Sequence, residues 1–137
     1  LNLEEKYYQK EPIEILDAPK GNSQLVHFGE LYGTRSGDKG GCANLGIWAK
    51  DDLSYSFLYE FLTVDKLKEL LPDLSEFNID RYDLSNIKSL NFYIHDILQD
   101  GISSNNKKDG QAKSLGEYLR AKLIEVPKKI LEGKKND

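Results

Sequence analysis

Methionine is absent from this sequence, and cysteine occurs once, at Cys42. A single thiol rules out an internal disulfide framework, and the reading that follows is a reducing, cytoplasmic setting. Long apolar runs are missing too. None approaches the roughly 20 residues that span a bilayer, and no charged-then-apolar signal segment opens the chain. The sequence starts at Leu1 without a methionine, so a preceding segment stays open. Positive charge is in deficit, with 19 Lys+Arg against 23 Asp+Glu and a net charge of −4. Nucleic acid is therefore not an expected partner, because phosphate backbones select a cation excess. Only two histidines are present, His27 and His95. With one cysteine they give no metal-ligand spacing, and no metal is expected. Neither a dinucleotide nor a P-loop fingerprint occurs, so no cofactor is expected either.

What is present fits one domain of 137 residues. Residues 1–23 read as a polar arm carrying Tyr7 and Tyr8. Residues 24–126 read as the folded unit, and residues 127–137 as a charged, solvated tail. LVHFGELYG at 25–33 alternates as a strand, with Val26, Phe28 and Tyr32 in phase, and ANLGIWAK reads as a second strand. Ser54 is a candidate cap for a helix through YSFLYEFL, and Thr63 for a helix carrying Val64, Leu67, Leu70 and Leu71, stopped by Pro72. NIDRYDL and KSLNFYIHDIL are strands three and four, around a turn at Ser85-Asn86. In strand four Leu90, Phe92 and Ile94 share one face, and Asn91, Tyr93 and His95 the other. Asp109 caps a last helix with the stripe Ala112, Leu115, Leu119, Leu123 and Val126. The expected fold is α+β: a four-stranded, mainly antiparallel sheet in ββα-ββα order, with two helical segments on one face. The other face, with Trp48, Tyr93 and His95, is left free to meet a partner.

Residues 35–46, RSGDKGGCANLG, concentrate the polar and glycine content. Read as a long turn, they put Arg35, Ser36, Asp38, Lys39 and Asn44 around Gly37, Gly40 and Gly41. Glycines with positive φ expose N–H groups that hold anions, and Arg and Lys add a fork and a point charge. The functional reading is a pocket for a carboxylate or phosphate. The structural one is a tight turn pinned by an ion pair of Arg35 or Lys39 with Asp38, with Asn44 satisfying the local backbone.

At these residues the sequence resembles the small ferredoxin-like domain at the C-terminus of acyclic terpene utilisation (AtuA-like) proteins. RSGDKG followed by ANLG is similar to that domain's signature. RYDL at 81–84, SLNFYI at 89–94, the turn around Leu98, Gly101, Ile102 and Ser103, and the pair Asp109 and Lys113 continue the likeness over most of residues 25–120. The resemblance matches Arg35, Ser36, Gly37, Asp38, Lys39, Gly40, Asn44 and Gly46 to the family's loop, and Asn91 to its fourth strand. Gly41 departs, standing where the family usually has a bulkier polar residue such as Asn. The resemblance implies a ferredoxin-like fold and a link to breakdown of acyclic terpenoid acids, with no settled catalytic set. In many relatives this domain trails a much larger one, so the resemblance implies either a larger AtuA-like partner as a separate polypeptide or a small domain that works by itself; the loop's composition adds a small carboxylate or acyl-CoA as the expected ligand.

Three roles follow as expectations. One is an accessory subunit lending an anion-binding loop to a larger partner or to copies of itself. Another is an independent small enzyme using Asp38, Cys42 or His95. The last is a structural oligomerisation module. Cys42 lies close to Lys39 but needs a base, which a histidine supplies only if strand pairing brings one near. The alternative is a buried, inert thiol. Asn91 and His95 project from one strand face, and either a site or an interface accounts for them.

Overall fold

The computed structural model describes residues 22–97 and 114–135. Its strands are β1 (Ser23–His27), β2 (Gly33–Lys39), β3 (Cys42–Trp48), β4 (Ile79–Leu84), β5 (Ser89–Ile94) and β6 (Leu123–Pro127). Its helices are α1 (Asp52–Phe61), α2 (Val64–Leu70), α3 over 114–120, and α4 (Lys128–Lys135). Among the described residues no helix is long and apolar enough to cross a membrane. The 103–110 loop, Asp109 as a cap, and Ala112 lie outside the described residues, as do Leu98, Gly101, Ile102, Ser103 and Lys113.

The central sheet has four antiparallel strands in the order β2-β3-β5-β4. Two hairpins, β2-β3 and β4-β5, join through β3 and β5. The first differs from the sequence expectation. RSGDK is strand, not loop, and the turn is only Gly40-Gly41, at φ of 59° and 87°. Two successive positive φ values match the right-handed twist of a two-residue hairpin, which side chains resist and Gly or Asn tolerate. Gly41 meets that requirement.

The residues expected to form a first strand also divide. Leu25 and Val26 belong to β1, which pairs with β6 as a separate two-stranded ribbon. Phe28–Glu30 is a single 3-10 turn, and the strand preceding the hairpin starts at Gly33. Leu123 and Val126, assigned above to a helical stripe, are strand residues of β6. α3 ends at residue 120, and Leu123 faces His27 across the ribbon. The 126/127 boundary falls within β6, and Ile130 beyond it is buried, so the start of the tail packs on the body. Helix α1 is capped by Asp51, whose carboxylate accepts from Ser54 N–H at 2.7 Å. Ser54, the expected cap, instead lies in the first turn. Thr63 caps α2 as expected, accepting from Lys66 N–H at 3.1 Å.

Register defines the two faces. The row Ser36–Leu45–Phe92–Arg81 runs across all four strands on one side. At its ends Ser36 Oγ accepts from Gly116 N–H of α3 at 3.1 Å, and Arg81 donates to the carbonyls of Tyr59 and Leu62 at 2.9 Å. Between them Leu45 and Phe92 are fully buried, with Leu58, Leu62 and Leu119 in the same core. Tyr32 is buried at the margin and donates to Ser54 O at 2.7 Å. Burial, reinforced by Asp51, pushes its phenol far above the ordinary range, and it stays a neutral donor. Burial likewise raises Tyr55.

Gly116 marks the closest approach of α3 to β2. Thr34 Oγ1 donates to its carbonyl at 3.2 Å, and a methyl group there would lie 2.8 Å from that same oxygen. In an open helix Gly→Ala stabilises by about 0.5–1 kcal/mol. Here Gly116→Ala must lift α3 off the sheet. It is expected to destabilise by about 1–2 kcal/mol in urea unfolding.

Candidate functional site

The second face of the sheet carries the side chains that alternate with the core. Three rows cross it: Gly33–Trp48–Ser89–Leu84, Arg35–Gly46–Asn91–Tyr82, and Gly37–Asn44–Tyr93–Asp80. Lys39 and Cys42 form a further pair at the hairpin end. Glycine recurs in these rows because bulky neighbours lie across it. A methyl group at Gly33 would lie 2.1 Å from the Trp48 indole, and one at Gly37 would lie 3.3 Å from Asn44 Oδ1. Trp48 is 43% exposed. Tyr82 and Tyr93 meet edge to face at 5.8 Å.

The residues singled out in the sequence divide between the two faces. Arg35, Gly37, Lys39, Asn44, Gly46 and Asn91 occupy register positions on the open face. Ser36 and Asp38 occupy positions on the opposite one. Ser36 is engaged with α3 and lines a hollow of about 410 Å³ with Thr34, Gly116, Glu117 and Arg120. Asp38 is exposed, opposite buried Ala43. An enclosed anion cup is thus not what these residues form, since strand alternation separates Arg35 from Ser36 and Asp38. The same alternation disposes of the Arg35–Asp38 ion pair weighed above. Arg35 is exposed, and among the described residues its guanidinium has no hydrogen bond or ion pair. It and Asn91 flank Gly46, which offers no side chain, across a strip about 10 Å wide at two strand spacings.

His95 closes the far corner. Its Nε2 donates to Asp80 Oδ2 at 2.7 Å, and its main-chain N–H donates to Asn78 O at 2.9 Å. His95 and Asp80 line a hollow of about 590 Å³ with Val64, Lys68, Asn78, Ile79 and Asp96. His27 lies elsewhere, on the β1-β6 ribbon, with Nδ1 at 3.2 Å from Ala121 O. Among the described residues no group of three or more His, Cys, Asp or Glu side chains could hold a metal ion.

Sequence reasoning overlooked Asp80 and Arg81. Alternation in NIDRYDL separates them onto opposite faces, but their partners come from β5 and from the α1–α2 link, which spacing does not reveal.

No curated protein and no solved structure matched this chain. The two-hairpin sheet with its RSGDKGG segment falls within residues 26–125, the span matched by the model of the AtuA ferredoxin-like domain, and the chain belongs to that family.

Proposed function

We propose that this chain is an accessory domain that offers its open sheet face to a larger polypeptide and places Arg35 on a carboxylate-bearing ligand at the junction. The observation that carries this reading is the exposed Arg35 guanidinium, without a hydrogen bond or ion pair among the described residues and set beside Asn44 and Asn91. On a flat, solvated face an Arg–carboxylate contact contributes only about 0–1 kcal/mol. Covered by a second surface, the same fork forms stronger, charge-assisted bonds. The face therefore supplies half of an anion site. Its aromatic share, Trp48, Tyr82 and Tyr93, together with Arg35 is the composition of energetically dominant interface residues. A small carboxylic acid, free or as an acyl-CoA, is the ligand class this half-site suits.

The test is Arg35→Ala. As an exposed residue with no partner among the described residues, it should change stability by no more than about 0.5 kcal/mol. Affinity capture from native cells should recover a larger polypeptide with the wild type. Small carboxylates should raise the melting temperature of that complex by mass action, and Arg35→Ala should abolish the rise. An equal rise in the variant, or recovery of the wild type only as a ligand-indifferent monomer, overturns the reading.

A further inference from the structure

We infer that the hollow beside His95 is a binding site for a free amino acid with an aliphatic side chain. Its volume of about 590 Å³ is that of a small-molecule site. Helix α2 and the ends of β4 and β5 build it. From α2 come Val64 and Lys68, one turn apart on the same helix face. β4 contributes Ile79 and Asp80, and His95 and Asp96 follow the end of β5. Val64 and Ile79 are partly buried and pack against the core, so the floor of the hollow is apolar. Its wall is charged.

The charges on that wall select the ligand. Asp80 is committed to His95, its Oδ2 accepting from Nε2 at 2.7 Å. Lys68 and Asp96 differ from that pair. Among the described residues neither side chain has a hydrogen bond or ion pair, and they do not pair with each other across the hollow they share. A cation and an anion held apart in one hollow complement a ligand that carries both charges. A plain carboxylic acid satisfies Lys68 and repels Asp96; a plain amine does the reverse. A free α-amino acid satisfies both by charge-assisted hydrogen bonds, its carboxylate on Lys68 and its ammonium on Asp96.

The imidazole adds a contact. Because Asp80 holds the ring through Nε2, the neutral imidazole presents Nδ1 as an acceptor for a second N–H of the ammonium. The ligand's hydrocarbon chain covers Val64 and Ile79 and shields the ion pairs from water. Arg35 takes no part, since it lies on β2, at the opposite edge of the sheet from β4. The site therefore stands whether or not the open face receives a partner.

Titration of the full, isotope-labelled chain with L-leucine, followed by NMR shifts, tests this. Leucine should move the Lys68, Asp80, His95 and Asp96 signals saturably, in the low millimolar range. Isocaproate, which lacks the ammonium, and isoamylamine, which lacks the carboxylate, should each bind about fivefold more weakly, as loss of one solvent-accessible ion pair implies. The variants should cross. Lys68→Gln should weaken leucine about fivefold and leave isoamylamine unchanged. Asp96 has φ of 63°, which Asn also tolerates, so Asp96→Asn should keep the turn, weaken leucine to the same degree and leave isocaproate unchanged. Arg35→Ala should bind leucine as the wild type does, so failure of the carboxylate site on the open face leaves this result intact. Equal affinity for leucine and isocaproate, no saturation by about 10 mM leucine, or unchanged leucine affinity in both hollow variants overturns the inference.

Discussion

Arg81→Ala should lower the free energy of unfolding by about 3–5 kcal/mol, a large part of a small domain's stability. Only 15% of the Arg81 side chain is exposed, and its three donor nitrogens are all committed. Nε meets Asp83 Oδ1 at 2.6 Å, Nη1 meets Leu62 O at 2.9 Å, and Nη2 meets Tyr59 O at 2.9 Å. Both carbonyls belong to the end of α1, where a helix runs out of N–H partners and carries partial negative charge. The guanidinium also lies over the Tyr59 ring at 4.8 Å. Alanine would leave those carbonyls short of a donor and Asp83 without its cation. Arg81→Lys keeps the charge but cannot reproduce the planar fork, and should recover only part of the loss. Urea unfolding followed by circular dichroism measures both. A loss below about 1 kcal/mol for Arg81→Ala would mean that α1 is held to β4 by apolar packing alone.

The sequence displays some of this architecture and hides the rest for a physical reason. Strand periodicity is local, so the division of β5 into a buried Leu90, Phe92, Ile94 face and an outer Asn91, Tyr93 face is legible from spacing. Caps are local as well, yet Asp51 and Ser54 compete for one helix start. Asp51 takes it because its extended backbone aims the carboxylate at Ser54 N–H. The β1-β6 ribbon is not local. It joins residues roughly a hundred positions apart, and nothing in Leu25 or Leu123 names the other as a neighbour.

The RSGDKGG segment misleads for a related reason. Its glycines suggest a loop, but only Gly40 and Gly41 take positive φ; Gly37 stands opposite Asn44, where a methyl group would lie a tight 3.3 Å from Oδ1. Once the segment is a strand, its polar residues are dealt alternately to two faces. The candidate site therefore follows register rather than proximity in sequence.

Phe92→Ala should cost about 3–5 kcal/mol, while its strand neighbour Asn91→Ala should stay within about 0.5 kcal/mol of wild type. Phe92 is fully buried in the row that ends on Arg81, and truncation leaves a void between α1, α3 and the sheet. Asn91 is half-buried on the open face, flanking the strip over Gly46. β5 is thus asked to do two separable things with alternate residues. One face holds the domain together, and the other is kept polar and aromatic without contributing to the core. Chemical denaturation of both variants, paired with capture of the larger polypeptide, separates them. Phe92→Ala should unfold at markedly lower urea, whereas Asn91→Ala should unfold normally and capture less. A destabilisation of Asn91→Ala approaching that of Phe92→Ala would show that the outer face is needed for folding. Its polar set would then have a structural reason to exist, and Arg35 would be the only residue left to argue for a ligand.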